Sequence, residues 1–199
     1  MRRRIVVRAQ AYLFAKGYSA LTMDDLARDL GVSKKTLYVS FRSKEAIVRT
    51  VFDEFAAGIR AEADRSLADR SLKFAEKLRG FALGMMERLS QVSPEVLHDL
   101  QQYAPLLHRY VEQLRRRNIP YIFGRFIEEG QIAGAVRDDI NPSFAAEYYL
   151  HAMQGMMHPE TLQRLRVRPE AVLDQAMRIF FGGLLTSTGH KEYEKSFPR

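Results

Sequence analysis

The 199 residues predict an all-α fold. Apolar residues recur at three- and four-residue spacing along most of the chain, which is the period of a helix. Helix starts such as Ser93-Pro94 and Asn141-Pro142 divide this pattern into segments, and no alternating or hairpin-like stretch predicts a strand. We therefore expect two helical domains, residues 1–46 and 47–189, followed by a flexible tail at 190–199.

The first expected helix covers residues 2–16 and is amphipathic. Arginines surround its apolar stripe, which is made by Ile5, Val6, Ala9, Tyr12, Leu13 and Phe14. Gly17 follows the stripe and is expected to end the helix. The stripe can then close a small core with Leu26, Leu37 and Phe41 from the next two helices.

Residues 22–44 contain two short helical patterns joined by a tight turn. Thr22 is placed to N-cap the first helix and Gly31 to end it. Between them the apolar residues fall at i, i+3, i+4 and i+7, on one helical face: Met23, Leu26, Ala27 and Leu30. Ser33 can cap the second helix, whose Leu37 is expected to point inward. This arrangement predicts a helix-turn-helix, in which the second helix enters the major groove of DNA.

The outward faces of that second helix carry side chains suited to phosphates and base edges: Ser33, Lys34, Lys35, Thr36, Tyr38 and Ser40. Ser43 is expected to cap a long fourth helix that runs to about Leu67, with Glu45 in its first turn. Lys44 is poorly placed for the positive end of the helix dipole. An ordinary exposed lysine is one interpretation, but beside this motif we expect Lys44 to contact a backbone phosphate.

Helical patterns continue to the end of the second domain. Pro120 lies inside one of them and predicts a kink or a break, and residues 130–141 are expected to form a loop. The expected helical segments are residues 72–89, 106–132, 142–158 and 169–187, with a further start at Ser93-Pro94.

The positive charge of the chain is confined to its first quarter. The formal net charge is +7, and residues 1–50 hold 11 Lys or Arg against 4 Asp or Glu, whereas the two signs balance in the remainder. A basic stretch is usually only a solvated surface. Because this one coincides with a groove-reading motif, it favours nucleic acid as the partner.

Four motifs of the first 50 residues occur in order at the spacing of a known family. They are Phe14–Tyr18, Leu21–Ala27, Gly31–Tyr38 and Phe41–Glu45. In them the chain resembles the DNA-binding domain of the tetracycline-repressor (TetR) family of bacterial one-component transcription regulators. A looser resemblance, from Glu128 to Pro142, reaches into the family's ligand-binding and dimerisation region.

The resemblance implies roles for individual residues. Thr22 matches a phosphate-contact position, and Tyr38 and Lys44 match positions that grip the DNA backbone. Base-reading or adjacent groove positions are matched by Lys34, Lys35 and Thr36. Two departures from the family pattern occur. Lys35 stands where Gly or Ala is frequent, and Val39-Ser40 replaces an aromatic-His pair, which removes one phosphate contact.

The second domain is rich in aromatic and methionine side chains. For any single one, core packing is the plainer interpretation, but as a set they suit an adaptable, largely apolar effector cavity. The candidate ligand-binding residues are Phe81, Met85, Tyr103, Tyr110, Tyr121, Tyr148 and Met153.

A homodimer is implied by the family resemblance, with residues 142–158 and 169–187 as the interface. Small residues there would let helices approach closely: Ala145, Ala152, Ala176, Gly182 and Gly183. Two recognition helices related by a twofold axis would then read a palindrome.

Patterns that other functions need are missing from the sequence. The chain has no Cys, which excludes disulfides and thiolate chemistry. No apolar run of about 18 residues could span a bilayer, and the basic N-terminus lacks a signal-peptide core, so we expect a cytoplasmic protein without a membrane partner. The five histidines form no metal-binding pattern, and no nucleophile triad or phosphate loop occurs. We predict no metal, no cofactor and no enzymatic activity.

These observations predict a homodimeric repressor that binds double-stranded DNA and is released by a small apolar or aromatic effector. Two alternatives stay open at this point. One is a DNA-binding dimer without an effector, and the other is an all-α enzyme built on the same fold.

Overall fold

The described residues of the computed structural model, 1–93 and 95–196, form eleven α-helices and no β-strand, which confirms the predicted all-α fold. The predicted helix start at Pro94 lies outside the described residues, as do residues 197–199. In chain order the helices are α1 (Arg2–Ala20), α2 (Met23–Leu30), α3 (Lys34–Ser40), α4 (Lys44–Ala68), α5 (Phe74–Ser90), α6 (Glu95–Tyr103), α7 (Pro105–Ile132), α8 (Pro142–Met156), α9 (Pro159–Leu165), α10 (Pro169–Leu184) and α11 (Ser187–Ser196).

The chain divides into two compact units. The first unit joins Met1–Ala57 to Ser90–Leu114, and the second joins Gly58–Leu89 to the chain from Arg115 onward. Helices α4 and α7 each contribute residues to both units. The first unit thus contains the predicted helix-turn-helix together with α6, although α6 is distant in sequence. The predicted domain boundary after residue 46 stays a prediction.

The core of the first unit is built from the apolar residues that the sequence singled out. Val6, Leu13, Leu26, Leu37 and Phe41 are all buried in one cluster. Their burial removes the apolar faces of α1, α2 and α3 from water, which is the main force that holds these short helices together.

Gly17 interrupts α1 at the predicted position. Its backbone has φ 84° and ψ 177°, a region that only glycine adopts readily. A Cβ atom there would lie 2.7 Å from Oδ2 of Asp99 in α6. The same carboxylate accepts a 2.6 Å hydrogen bond from the backbone N–H of Ser19. Gly17 is therefore required both for the local backbone and for the approach of α6.

The second unit has its own core, which centres on aromatic rings. Phe81, Phe126 and Phe181 are its largest fully buried side chains. The buried ammonium of Lys77 lies among these helices and donates to the Glu129 carboxylate over 2.5 Å. Removal of the Glu129 carboxylate would be costly because the buried Lys77 charge would lose its partner.

Two sequence expectations about helices need correction. The sequence predicted a kink or a break at Pro120, and the break is wrong because helix α7 runs through Pro120 without one. Buried residues beyond the proline, including Phe126 and Ile127, anchor the second half of α7 and outweigh the loss of one N–H donor. Helix α11 occupies most of the segment expected to be a flexible tail. It begins where the backbone N–H of Gly189 donates to the Thr186 hydroxyl over 3.1 Å, and Tyr193 packs against the core.

Across residues 1–93 and 95–196, no helix is both long and apolar enough to cross a membrane.

Candidate nucleic-acid interface

Helix α2 is defined at both ends by the residues that the sequence predicted. The Thr22 hydroxyl accepts a hydrogen bond from the Asp25 N–H over 3.0 Å and donates one to the Asp25 carboxylate over 2.6 Å. The hydrogen bond that the Thr22 hydroxyl donates to the Asp25 carboxylate lowers the pKa of Asp25 below its ordinary value. At the other end Gly31 is left-handed with φ 66°, and its N–H bonds back to Arg28. The turn into α3 is thus fixed by local chemistry.

Helix α3 begins at a second cap. Oγ of Ser33 accepts from the Thr36 N–H over 3.1 Å, and the two side-chain hydroxyls lie 2.9 Å apart. Leu37 is fully buried against the core, which fixes the rotation of the helix about its own axis. The opposite face is therefore turned to solvent.

The solvent face of α3 carries the predicted groove-reading residues. Lys34, Lys35 and Tyr38 are exposed, and Val39 beside them is 81% exposed. Lys34 forms an ion pair with Asp24 of α2, in which Nζ and Oδ1 are 2.6 Å apart. That hydrogen bond raises the pKa of Lys34. The ammonium groups of Lys34 and Lys35 can reach a phosphate or a guanine edge.

Lys44 lies at the start of α4 and is held over an aromatic ring. Its Nζ is 3.9 Å from the ring centroid of Tyr18, and the Tyr18 hydroxyl donates to Glu45 over 2.7 Å. Burial lowers the pKa of Lys44, whereas the hydrogen bond from Tyr18 lowers the pKa of Glu45. The ring positions the ammonium next to the helix-turn-helix.

Arginines of α1 support the motif in a way that the sequence analysis missed. The Arg2 guanidinium lies 4.1 Å from the Phe41 ring centroid and donates to the Ser40 carbonyl over 2.9 Å, which satisfies the end of α3. Arg8 pairs with Asp29 of α2 over 2.5 Å. The only sequence signal for these roles was the basic character of α1, which does not distinguish a DNA-facing arginine from a supporting one.

The seven predicted DNA-binding residues therefore all lie in the first unit. Thr22 and Ser33 cap the two helices of the motif, and Thr36 bonds to the second cap. The remaining four provide three ammonium groups and one phenol: Lys34, Lys35, Lys44 and Tyr38. Such a surface can bind phosphates and reach base edges at the same time.

A family model described as bacterial regulatory proteins of the tetR family matches residues 5–51, the stretch that contains α1, α2 and α3. Residues 5–51 therefore form a DNA-binding domain of the TetR family. This chain is also similar to complete transcriptional regulators, beyond the matched domain. The transcriptional repressor DhaR of Mycobacterium sp. strain GP1 is 26% identical over 190 residues, which cover 94% of each chain. The regulator UidR of Escherichia coli K12 is 23% identical, again over 94% of each.

Solved structures of TetR-type proteins share the fold along nearly the whole chain. The TetR regulatory protein of Rhodobacter sphaeroides has a TM-score of 0.68 at 19% identity and covers 92% of this chain and 97% of its own. The complex of SmeT with triclosan has a TM-score of 0.68 at 16% identity, with 94% and 92% covered. The TetR fold therefore includes the second unit as well as the DNA-binding motif.

The seven predicted ligand-binding residues are divided between the two units. Tyr103 and Tyr110 belong to the first unit, and Tyr110 donates to the Asp53 carboxylate there. Tyr148 is 61% exposed on α8. The remaining four lie in the core of the second unit or pack against it: Phe81, Met85, Tyr121 and Met153. Helical periodicity alone could not separate these groups because all of them fall on apolar stripes.

Proposed function

We propose that this chain is a TetR-family transcriptional repressor that binds a palindromic operator as a homodimer and releases it when a small, largely apolar effector binds. The observation that carries the proposal is the solvent face of α3, where Lys34, Lys35 and Tyr38 project from a helix fixed by the Ser33 cap and by buried Leu37. A rigid, capped helix with exposed cations is what major-groove reading requires.

DNA affinity would come from phosphate contacts and sequence choice from base contacts. Lys44, held over Tyr18, and Thr22 are the proposed phosphate contacts, and the Thr22 hydroxyl would donate to the phosphate in place of the Asp25 carboxylate. Lys34 and Lys35 are the proposed base readers, because lysine donates to the O6 and N7 acceptors of guanine. Each phosphate contact by a cation releases about one counterion, so the affinity is expected to fall steeply with salt.

Dimerisation is supported by exposed residues, several of them apolar, on two helices of the second unit. Along α8 the exposed positions Phe144, Tyr148, His151 and Gly155 fall at i, i+4, i+7 and i+11, which is one helical stripe. On α10, Ile179 is 75% exposed, and a Cβ atom on Gly182 or Gly183 would meet nothing within 4 Å. Of the small residues expected at the interface, Ala145 is buried in the core. We assign the interface to the two exposed stripes.

The effector part of the proposal rests on the second unit. Its core combines aromatic rings with methionines, a lining that can adapt to an apolar ligand. SmeT, whose fold this chain shares, has been solved in complex with triclosan, an aromatic molecule. DhaR, the relative described above, is a repressor.

One experiment tests the whole proposal. The full-length chain is used to select bound sequences from random double-stranded DNA, and its mass is measured by light scattering with and without the selected site. We expect a dimer that selects an inverted repeat with half-sites about 34–36 Å apart. A monomer, or a selection without any consensus, would overturn it. If the operator is found but no small molecule in a broad screen releases it, the chain is a DNA-binding dimer without an effector.

A further inference from the structure

Among the described residues, one hydroxyl in the aromatic core of the second unit has no hydrogen-bond partner. Tyr149 of α8 is 2% exposed, and among the described residues its hydroxyl forms no hydrogen bond. Its ring stacks on Phe123 of α7, with centroids 4.0 Å apart, and lies 4.9 Å from Phe180 of α10. Three helices thus hold the phenol rigidly in an apolar environment.

A buried hydroxyl without a hydrogen-bond partner destabilises the fold. A buried donor without an acceptor loses its hydrogen bonds to water and gains nothing in return. Phenylalanine at this position would keep the ring contacts and avoid that cost. A tyrosine here is therefore better explained by a partner that arrives from outside than by packing.

The core cluster that contains Tyr149 can yield to an incoming molecule. Six of the eight methionines of the chain belong to the core cluster that contains Tyr149 or pack against it: Met85, Met86, Met153, Met156, Met157 and Met177. Methionine is unbranched and has three rotatable bonds, so it can move aside at little cost and then refill the space. A ligand site in this cluster would therefore open only when it is occupied.

We propose that the Tyr149 hydroxyl is the polar anchor of an effector site in this cluster, and that the ligand is a compact, neutral, aromatic or aliphatic molecule with one hydrogen-bond-accepting oxygen, such as a ketone. Phe123 and Phe180 supply the stacking faces, and the methionines shape the remainder. This inference rests on the proposed role of the second unit as the effector-binding part.

The chemistry of the cluster favours a neutral ligand over an anion. The two rings that pack against the Tyr149 ring, Phe123 and Phe180, carry no positive charge to pair with a carboxylate. Burial also raises the pKa of Tyr149, so the phenol keeps its proton and donates at neutral pH. A carbonyl or ether oxygen accepts that hydrogen bond without bringing an unpaired charge into the core.

A matched pair of probes tests the anchor. Acetophenone and α-methylstyrene have nearly the same shape, but only the ketone carries an acceptor oxygen. Each is titrated, without DNA, into the full-length chain labelled with ¹³C at the methionine methyls. We expect shifts at second-unit methionines and not at Met23, which belongs to the first unit. The ketone should bind roughly 2–10-fold tighter, as one net hydrogen bond implies.

Tyr149→Phe removes the anchor and leaves the ring. We expect the two probes to bind this variant within about twofold of each other, and its Tm without ligand to rise by roughly 2–4 °C because the unpaired hydroxyl is gone. Tyr12→Phe, which removes a hydroxyl in the first unit, should change neither quantity.

Three results would overturn the inference. The first is that both probes bind the wild type equally, or that neither binds at saturation. The second is that the preference for the ketone survives Tyr149→Phe. The third is that Tyr149→Phe has a lower Tm than the wild type, which would mean that buried water already satisfies the hydroxyl. The titration contains no DNA, so its result can be interpreted even if the operator selection fails. A ketone that binds through Tyr149 but does not release DNA would count against the proposed function alone.

Discussion

The Tyr18 hydroxyl donates a hydrogen bond to Oε1 of Glu45 over 2.7 Å, joining the end of α1 to the first turn of α4. The same tyrosine ring lies under the Lys44 ammonium. A single side chain therefore positions both a carboxylate and a cation next to the helix-turn-helix.

Tyr18→Phe is expected to raise the pKa of Glu45, because the hydrogen bond from Tyr18 is the main cause of its lowered value. A lowered carboxylate pKa stabilises the fold above the unfolded value of about 4.5, and the contribution disappears as the pH falls through the folded value. In the variant, the free energy of unfolding should depend less on pH in the acid range, because the contribution of Glu45 is lost. The variant should also lose about 1 kcal/mol of stability at pH 7. Carboxyl NMR titration measures the pKa, with Tyr12→Phe as control.

Gly17→Ala should destabilise the chain more than Gly31→Ala. Both glycines have positive φ, but alanine tolerates the left-handed conformation of Gly31 at a cost of about 1–2 kcal/mol. At Gly17 the backbone region is less accessible still, and the new Cβ would lie 2.7 Å from Asp99. We expect a loss of roughly 3 kcal/mol or more there. Urea unfolding compares the two, and equal losses would contradict the assigned contact with α6.

Asp24→Asn is expected to tighten DNA binding. Asp24 holds Lys34 in an ion pair, so it competes with phosphate for that cation and adds negative charge near the DNA. Its removal should improve affinity by about fivefold at low salt, from ~1 kcal/mol for a charge pair in water. Fluorescence anisotropy against the selected operator measures this. Asp138→Asn makes the same change in net charge in the second unit and should have no such effect. If Asp24→Asn instead weakened DNA binding, Asp24 would be positioning Lys34 for its contact with DNA.

Lys44→Ala and Lys35→Ala should weaken DNA binding in different ways. Loss of a phosphate contact at Lys44 should lower affinity for all sequences alike and reduce the salt slope by about one. Loss of a base contact at Lys35 should cost roughly 1–3 kcal/mol on the operator and relax the sequence preference. Lys16→Ala controls for the lost cation–π contact, because Lys16 lies 4.7 Å from the Tyr12 ring centroid. A changed base preference in Lys44→Ala would reverse the assignment.

Ile179→Asp is expected to separate the proposed dimer. Ile179 is 75% exposed on α10, so a carboxylate there leaves the isolated chain stable but would be buried unpaired in an interface. Sedimentation equilibrium should show monomers at micromolar concentration, with loss of palindrome binding. Ile132→Asp is the matched control, since Ile132 is 85% exposed at the end of α7. If both variants stay dimeric, the interface lies elsewhere.

Local signals were the part of the structure that the sequence could predict. The hydrogen bonds at Thr22, Ser33 and Asn141 span only three residues, so the cap and its partner are visible together in the sequence. The contact between Ser19 and Asp99 spans 80 residues, and no local pattern marks it. The same applies to Tyr149, because its missing partner is a property of the packed core and not of its neighbours in the chain.

The first unit is assembled from two separate stretches of chain, and this affects its synthesis. Val96, Leu100 and Leu107 complete the core under the helix-turn-helix, yet they are made after the second unit has begun. At about 5–20 residues per second, the ribosome needs roughly 3–12 s to proceed from residue 57 to residue 114. During that interval the nascent helix-turn-helix carries an open apolar face, so a stalled or truncated chain would present it to chaperones and proteases.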